Sequence, residues 1–178
     1  YMRKEKLNQR NRLTKNQLSY ISERAVENVR SLLPYQNAEV VYFYYAVRNE
    51  VGVTSLFDEC LLAGKKCLFP RVINDYEMEF FIVDDICKLK EGYKGIFEPA
   101  EACHIYNDDG ENSIMFVPGT VFDRKGGRTG MGKGFYDRYI HSHRIDCLAG
   151  VCGEYQLVEK VPMDKEDAYM DIVVTERC

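Results

Sequence analysis

The sequence has no surplus of positive charge, no long apolar run and no paired-cysteine motif, and each lack excludes a class of protein. Its 24 lysines and arginines are outnumbered by 28 aspartates and glutamates, for a net charge of −4. Bulk nucleic-acid binding needs a basic face, so nucleic acid is excluded as a partner. The longest apolar stretch is Val40–Val47, far short of the roughly 20 residues a membrane span requires. The charged first residues also lack the apolar core of a signal peptide. Seven cysteines (60, 67, 87, 103, 147, 152, 178) contain no C-x-x-C pair, and their number is odd. Reduced thiols in a cytoplasmic protein are expected, rather than a disulfide framework or a zinc site. Without repeats, low-complexity segments or linkers, the 178 residues are expected to form one domain, 1–178, with a substantial core.

What is present concentrates in Ile114–Ile140. A short apolar run, Ile114–Val117, is expected to be a buried strand stopped by Pro118-Gly119. Six glycines lie between Gly119 and Gly134, interleaved with Arg124, Lys125, Arg128 and Lys133. Helical character returns from Gly134 to Ile140. Strand, glycine-rich basic loop and helix N-terminus is an arrangement that holds phosphate. Missing β-carbons let backbone N–H groups approach an anion, and the helix end adds free donors and a positive dipole. Gly127-x-x-x-x-Gly132-Lys133 follows the P-loop pattern until Gly134, which stands where a Ser or Thr would help hold Mg²⁺. Any metal here needs another oxygen ligand, and Asp137 is the nearest carboxylate. The alternative is a hairpin turn at Lys125-Gly126-Gly127 with solvated cations.

The remaining chain alternates strand and helix. Thr14-Lys-Asn-Gln17 has the form of a capping box, and Leu18, Ile21, Ala25, Val29 and Leu32 share one face of the helix that follows, with Pro34 ending it. The cation-rich segment before it, including Arg3, Lys4, Lys6, Arg10 and Arg12, is expected to be a solvated face. Glu39–Val47 has the β-branched and aromatic content of a central strand, with Arg48-Asn49-Glu50 at its C-terminal end. Thr54–Ala63 is an expected helix closed by Gly64. Lys66–Pro70, Met78–Val83, Asp146–Gly153 and Asp171–Thr175 are expected strands, and Asp84–Gly95 and Glu101–Asn112 polar connections. The fold class is α/β, layered on a mostly parallel sheet. The residues alone point to an ATP-dependent enzyme acting on a small molecule.

Pro118, Gly119, Phe122, Asp123, Gly126, Arg128, Gly130, Gly132, Gly134, Tyr136 and Asp137 also reproduce, in register, a long family signature. In that signature the chain resembles the 5-formyltetrahydrofolate cyclo-ligases (methenyltetrahydrofolate synthetases); Phe135 stands where the family usually has Tyr. The resemblance implies a three-layer α/β/α cyclo-ligase fold with a mostly parallel central sheet. It implies conversion of 5-formyltetrahydrofolate and ATP, with Mg²⁺, into 5,10-methenyltetrahydrofolate, ADP and phosphate through a phosphorylated formyl group, by a monomer whose partners are small molecules. It carries Lys133, Arg128 and Tyr136 over as catalytic, and Arg3, Arg128, Gly130, Gly132, Lys133, Gly134, Phe135 and Tyr136 as ATP-binding. Tyr45, Glu50, Met131, Gly132, Lys133, Gly134 and Phe135 become substrate contacts, and Asp137 with Asp171 the metal ligands. The family also has a phosphate-binding Lys four residues before the match of Arg3. That position precedes Tyr1, so either the start is truncated or Lys4 or Lys6 substitutes. Alternative readings are a catalytically silent nucleotide- or folate-binding protein, and an ATP-dependent kinase or ligase for another small molecule.

Overall fold

The computed structural model describes residues 1–178. Two helices open the chain, α1 (Met2–Asn11) and α2 (Lys15–Arg30). The capping box between them is present, with Gln17 N–H donating to the Thr14 hydroxyl at 3.2 Å and Thr14 N–H to Gln17 Oε1 at 2.9 Å. Two of the orphan donors at the helix start are thereby satisfied. Pro34 does not simply end the run. It sits in the first turn of a short third helix, α3 (Leu33–Asn37), where its missing N–H costs nothing.

The strands β1 (Val40–Tyr42) and β2 (Lys66–Val72) are separated by a 3₁₀ turn at Thr54–Leu56 and α4 (Phe57–Leu62). Next come β3 (Met78–Ile82) and a hairpin of β4 (Leu89–Glu91) with β5 (Phe97–Pro99). After β6 (Ser113–Val117), a second hairpin is made by β7 (Val121–Asp123) and β8 (Arg128–Thr129). Helix α5 (Phe135–Ser142), β9 (Cys147–Val151), β10 (Leu157–Val158) and β11 (Ile172–Val174) complete the chain. The main sheet has the order β11-β9-β6-β1-β2-β3 and is parallel throughout except for β3, which runs antiparallel to β2. A smaller sheet has the order β10-β7-β8.

Alternation along the strands assigns the layers. Val41, Phe43, Cys67, Phe69, Ile114, Phe116, Cys147 and Ala149 face α2, α3 and α4 in one apolar cluster. Their sequence neighbours Val40, Tyr42, Leu68, Met115, Val117 and Leu148 face the other way, onto Phe122 of the small sheet and Tyr139 of α5. This is the period-2 pattern of a sheet buried on both faces. The three layers are those expected, but the second outer layer is one helix and a small sheet rather than helices alone.

The strand expected over Glu39–Val47 is a correction: only Val40–Tyr42 belongs to it, although the Phe43 N–H still donates to the Leu68 carbonyl at 2.8 Å. In register with β6, Tyr42 lies opposite Met115, so the partner strand runs out at Pro118 three residues further on. The chain then turns through Arg48 and Asn49, both at positive φ (50° and 60°). The Glu50 carboxylate closes the turn by accepting the Val47 N–H at 3.0 Å. The polar connection expected at Asp84–Gly95 likewise contains β4, paired with the segment after it.

Candidate active site

The sequence order reverses between β1 and β6: β2 and β3 are added on one side, β9 and β11 on the other. In open parallel sheets the crevice beyond the strand C-termini at such a point is where ligands bind. A cleft of about 580 Å³ lies there. Tyr44, Tyr45, Val47, Arg48 and Glu50 reach it from the end of β1, and Pro118 and Gly119 from the end of β6.

The glycine-rich segment divides into two parts. Gly119–Thr129 folds as the β7–β8 hairpin, so the hairpin alternative is right for Lys125-Gly126-Gly127. Asp123 holds that turn, accepting N–H bonds from Lys125 (2.8 Å), Gly127 (2.9 Å) and Val161 (2.8 Å). The loop that borders the cleft is shorter, Gly130–Gly134. Gly132 (φ 89°) and Gly134 (φ 68°) both occupy the left-handed region that side chains disfavour. Gly134 is the N-cap of α5, which leaves the first N–H groups of that helix without internal partners. Arg3, from α1, donates to the Met131 carbonyl at 3.1 Å and so ties the first helix to this loop. Lys133 is exposed at the cleft and forms no ion pair. Lys4 and Lys6, the candidate substitutes for the family Lys, do not line the cleft; the Lys6 ammonium is held by the Tyr155 carbonyl.

Arg128 does not stand free for a phosphate. It is buried, with Nη2 donating to Asp137 Oδ1 (3.0 Å) and Nη1 to the Pro118 carbonyl (3.0 Å). Asp137 Oδ1 also accepts the Ala168 N–H at 3.0 Å, while Oδ2 makes no hydrogen bond. Tyr136, the next residue, has a phenol pushed above its ordinary range by burial and by the Glu50 charge, with Arg128 opposing. It therefore stays protonated at neutral pH and is a hydrogen-bond donor, not a base.

Asp171 is a correction. Its Oδ2 accepts the Leu148 N–H at 2.7 Å at the start of β11, and it is not among the cleft residues. Parallel strands put all starts at one edge and all ends at the other, so a residue opening β11 lies away from a cleft at the strand ends. The aspartates that share the cleft with Asp137, besides the glutamates Glu50 and Glu98, are Asp164 and Asp167, on the segment whose Ala168 N–H reaches Asp137. No group of three or more His, Cys, Asp or Glu side chains is gathered as a metal site.

The apolar side of the cleft comes from the β4–β5 hairpin. Phe97 stacks on Tyr45 (centroids 5.1 Å apart, 30° between planes), and Tyr93 meets the edge of Phe135 at 6.3 Å and 87°. Met131 is exposed at the rim, 45% accessible. Sequence reasoning passed over Tyr93, Phe97, Asp167 and Arg10. The first three sit in short, polar-looking connections with no periodicity to distinguish them. Arg10 belongs to the cation-rich segment read as a solvated face, which holds for Lys4 and Arg12 but not for Arg10, only 2% exposed. Glu50 lies 3.7 Å from its guanidinium. Burial raises the Glu50 carboxyl above its ordinary value, against the Val47 N–H, Arg10 and Arg48.

Comparison with known proteins gives a consistent result. Residues 1–176 match the family described as the 5-formyltetrahydrofolate cyclo-ligase family. The probable 5-formyltetrahydrofolate cyclo-ligase of Schizosaccharomyces pombe is 31% identical over 142 residues, covering 72% of this chain and 70% of that protein. The 5-formyltetrahydrofolate cyclo-ligase of Haemophilus influenzae is 26% identical over 169 residues, covering 91% and 89%. The NMR structure of Aquifex aeolicus 5,10-methenyltetrahydrofolate synthetase superposes with a TM-score of 0.84 at 33% identity, covering 99% of this chain and 89% of that one.

Proposed function

Since the chain belongs to the 5-formyltetrahydrofolate cyclo-ligase family, we propose a division of labour by which its cleft carries out that reaction. The protein is a ligase that uses ATP to close 5-formyltetrahydrofolate into 5,10-methenyltetrahydrofolate. The chemical difficulty is the formamide oxygen, a poor leaving group. In the proposed course that oxygen attacks the γ-phosphorus of ATP, the bond to the β-phosphate oxygen breaks, and ADP departs. The N10 lone pair then attacks the activated formyl carbon and N10 loses its proton. The carbon–oxygen bond breaks, phosphate leaves with its electron pair, and the positive amidinium bridge remains. Phosphoryl transfer of this kind depends on alignment and on cations around the migrating charge more than on a strong base.

The observation that carries the assignment is the Gly130–Gly134 loop, which brings free helix-start donors, Arg3 and Lys133 to one side of the cleft. There the loop amides and Arg3 bind the nucleotide phosphates, and Lys133 balances charge on the transferring group. The Tyr136 phenol donates a hydrogen bond within the site. Tyr45, Phe97, Phe135 and Met131 form the apolar wall for the folate, with Glu50 at its polar edge. Arg128 acts through Asp137, which it fixes in place. The donor set fits Mg²⁺, which takes one or two carboxylates and fills its remaining positions with phosphate oxygens and water. Asp137, through its free Oδ2, and Asp167 would hold the ion; when bound it neutralises phosphate charge.

The test is to mix the protein with MgATP and 5-formyltetrahydrofolate and follow the absorbance of the conjugated methenyl product. Growth of that band, dependent on both substrates, is expected; its absence would refute the activity. Lys133→Ala should lower turnover by about 10²–10³-fold, the usual loss for one preorganised electrostatic donor. An unchanged rate at saturating MgATP would remove Lys133 from the transfer step.

A further inference from the structure

Arg10 has no task in the scheme above. Its side chain is 2% exposed, Nε and Nη1 are enclosed without a hydrogen-bond partner, and yet the residue borders the cleft. A buried guanidinium left unpaired is costly, and one that lines a ligand cleft calls for a ligand atom to complete it. Arg128, the other buried cleft arginine, differs: Asp137 and Pro118 occupy its two terminal nitrogens. The charge nearest to Arg10 is Glu50, whose Oε1 is 3.7 Å from Nη1, too far for a hydrogen bond. Glu50 Oε2 accepts only the Val47 N–H.

The pair decides what kind of group fits. A phosphate or carboxylate approaching Arg10 would meet the Glu50 carboxylate at the same place. Phosphate-binding cations are available at the other part of the cleft, around Arg3 and Lys133. A neutral edge offering one acceptor beside two donors satisfies both partners at once. The reduced pterin has such an edge: the 4-oxo oxygen, N3–H and the 2-amino group. We propose that Arg10 donates to the 4-oxo oxygen while Glu50 accepts from N3–H and the 2-amino group, making Arg10 the residue that selects a 4-oxo over a 4-amino pteridine. This rests on the assignment of the cleft to folate given above.

The experiment compares 5-formyltetrahydrofolate with its 4-amino-4-deoxy counterpart, which presents a donor where Arg10 needs an acceptor. Calorimetric titration of the wild-type protein without ATP should give at least about 10-fold weaker binding of the 4-amino compound, since leaving a buried charged donor unpaired costs at least that much. Arg10→Met should raise the KM for 5-formyltetrahydrofolate by about 10–100-fold. It should leave the KM for ATP within about twofold and shrink the preference for the 4-oxo compound. Arg10→Lys, which keeps the charge but loses the planar fork, should fall between the two. Equal binding of both compounds by the wild-type protein would overturn the proposal, and needs no variant to fold. So would Arg10→Met with unchanged KM and preference. A wild-type protein that neither binds nor cyclises 5-formyltetrahydrofolate would instead overturn the reading of the cleft itself.

Discussion

Two aspartates near the ends of the glycine-rich segment do different work, and the difference is measurable. Asp123 is buried, 3% exposed, and its carboxylate accepts three backbone N–H bonds. Burial alone would raise its pKa; the bonds from Val161, Gly127 and Lys125, with the Lys125 charge, outweigh burial and hold the carboxyl below its ordinary value. A depressed native value means stability that is fully present above the unfolded value of about 3.9, and lost as pH falls through the lower native one. Asp123→Asn should therefore destabilise the protein by about 2–3 kcal/mol near neutral pH. In urea titrations the deficit should narrow below about pH 4; a deficit constant down to pH 2 would contradict the role. Asp137 borders the cleft with one oxygen free, and Asp167 borders the same cleft. Asp167→Asn should raise the Mg²⁺ concentration needed for half-maximal rate, whereas Asp171→Asn should not. The reverse pattern in a Mg²⁺ titration would restore Asp171 to the metal. The motif named Asp137, but spacing could not choose between Asp167 and Asp171. That choice depends on which end of β11 faces the cleft.

The β7–β8 hairpin carries the site's loop, and one of its docking points is a glycine. A β-carbon at Gly126 would lie 2.1 Å from the Met170 carbonyl oxygen, and its φ is 91°. The Met170 N–H also donates to the Gly126 carbonyl at 2.8 Å. Gly126→Ala should thus cost more than about 2 kcal/mol, since backbone strain and a backbone collision add. Gly64→Ala is the control: φ is 76° there too, but nothing lies within 4 Å, so only the left-handed strain of about 1–2 kcal/mol remains. Equal losses in thermal melts would mean that close approach at Gly126 does not hold the hairpin. Elements with strong local signals were legible in the sequence: the Thr14–Gln17 box, the Ile114–Val117 strand, the helix after Gly134. The β1 region was misjudged because aromatic and β-branched content measures fit to a sheet, while strand length depends on a partner that leaves at Pro118.

At the scale of the whole molecule, the central sheet separates two apolar clusters, and four of the seven cysteines are buried within them. Cys87 and Cys178 are exposed, Cys103 is half-buried, and burial pushes the Cys147 thiol up to about 11. Alkylation of the native protein followed by mass spectrometry should modify Cys87 and Cys178 first. Cys60, Cys67, Cys147 and Cys152 should react only on unfolding, and early labelling of any of these four would contradict the packing described. The sequence by itself determined the α/β class and which stretches hold the main strands, and it marked Gly127–Gly134 as the expected phosphate-binding loop, because these follow from periodicity, glycine placement and charge within one stretch of chain. Only the tertiary structure decided that Arg10, Glu50, Asp137 and Asp167 border one cleft and that Asp171 does not. Those residues come from four separate segments, and their meeting depends on where β1 and β6 lie in the sheet and which edge their ends share.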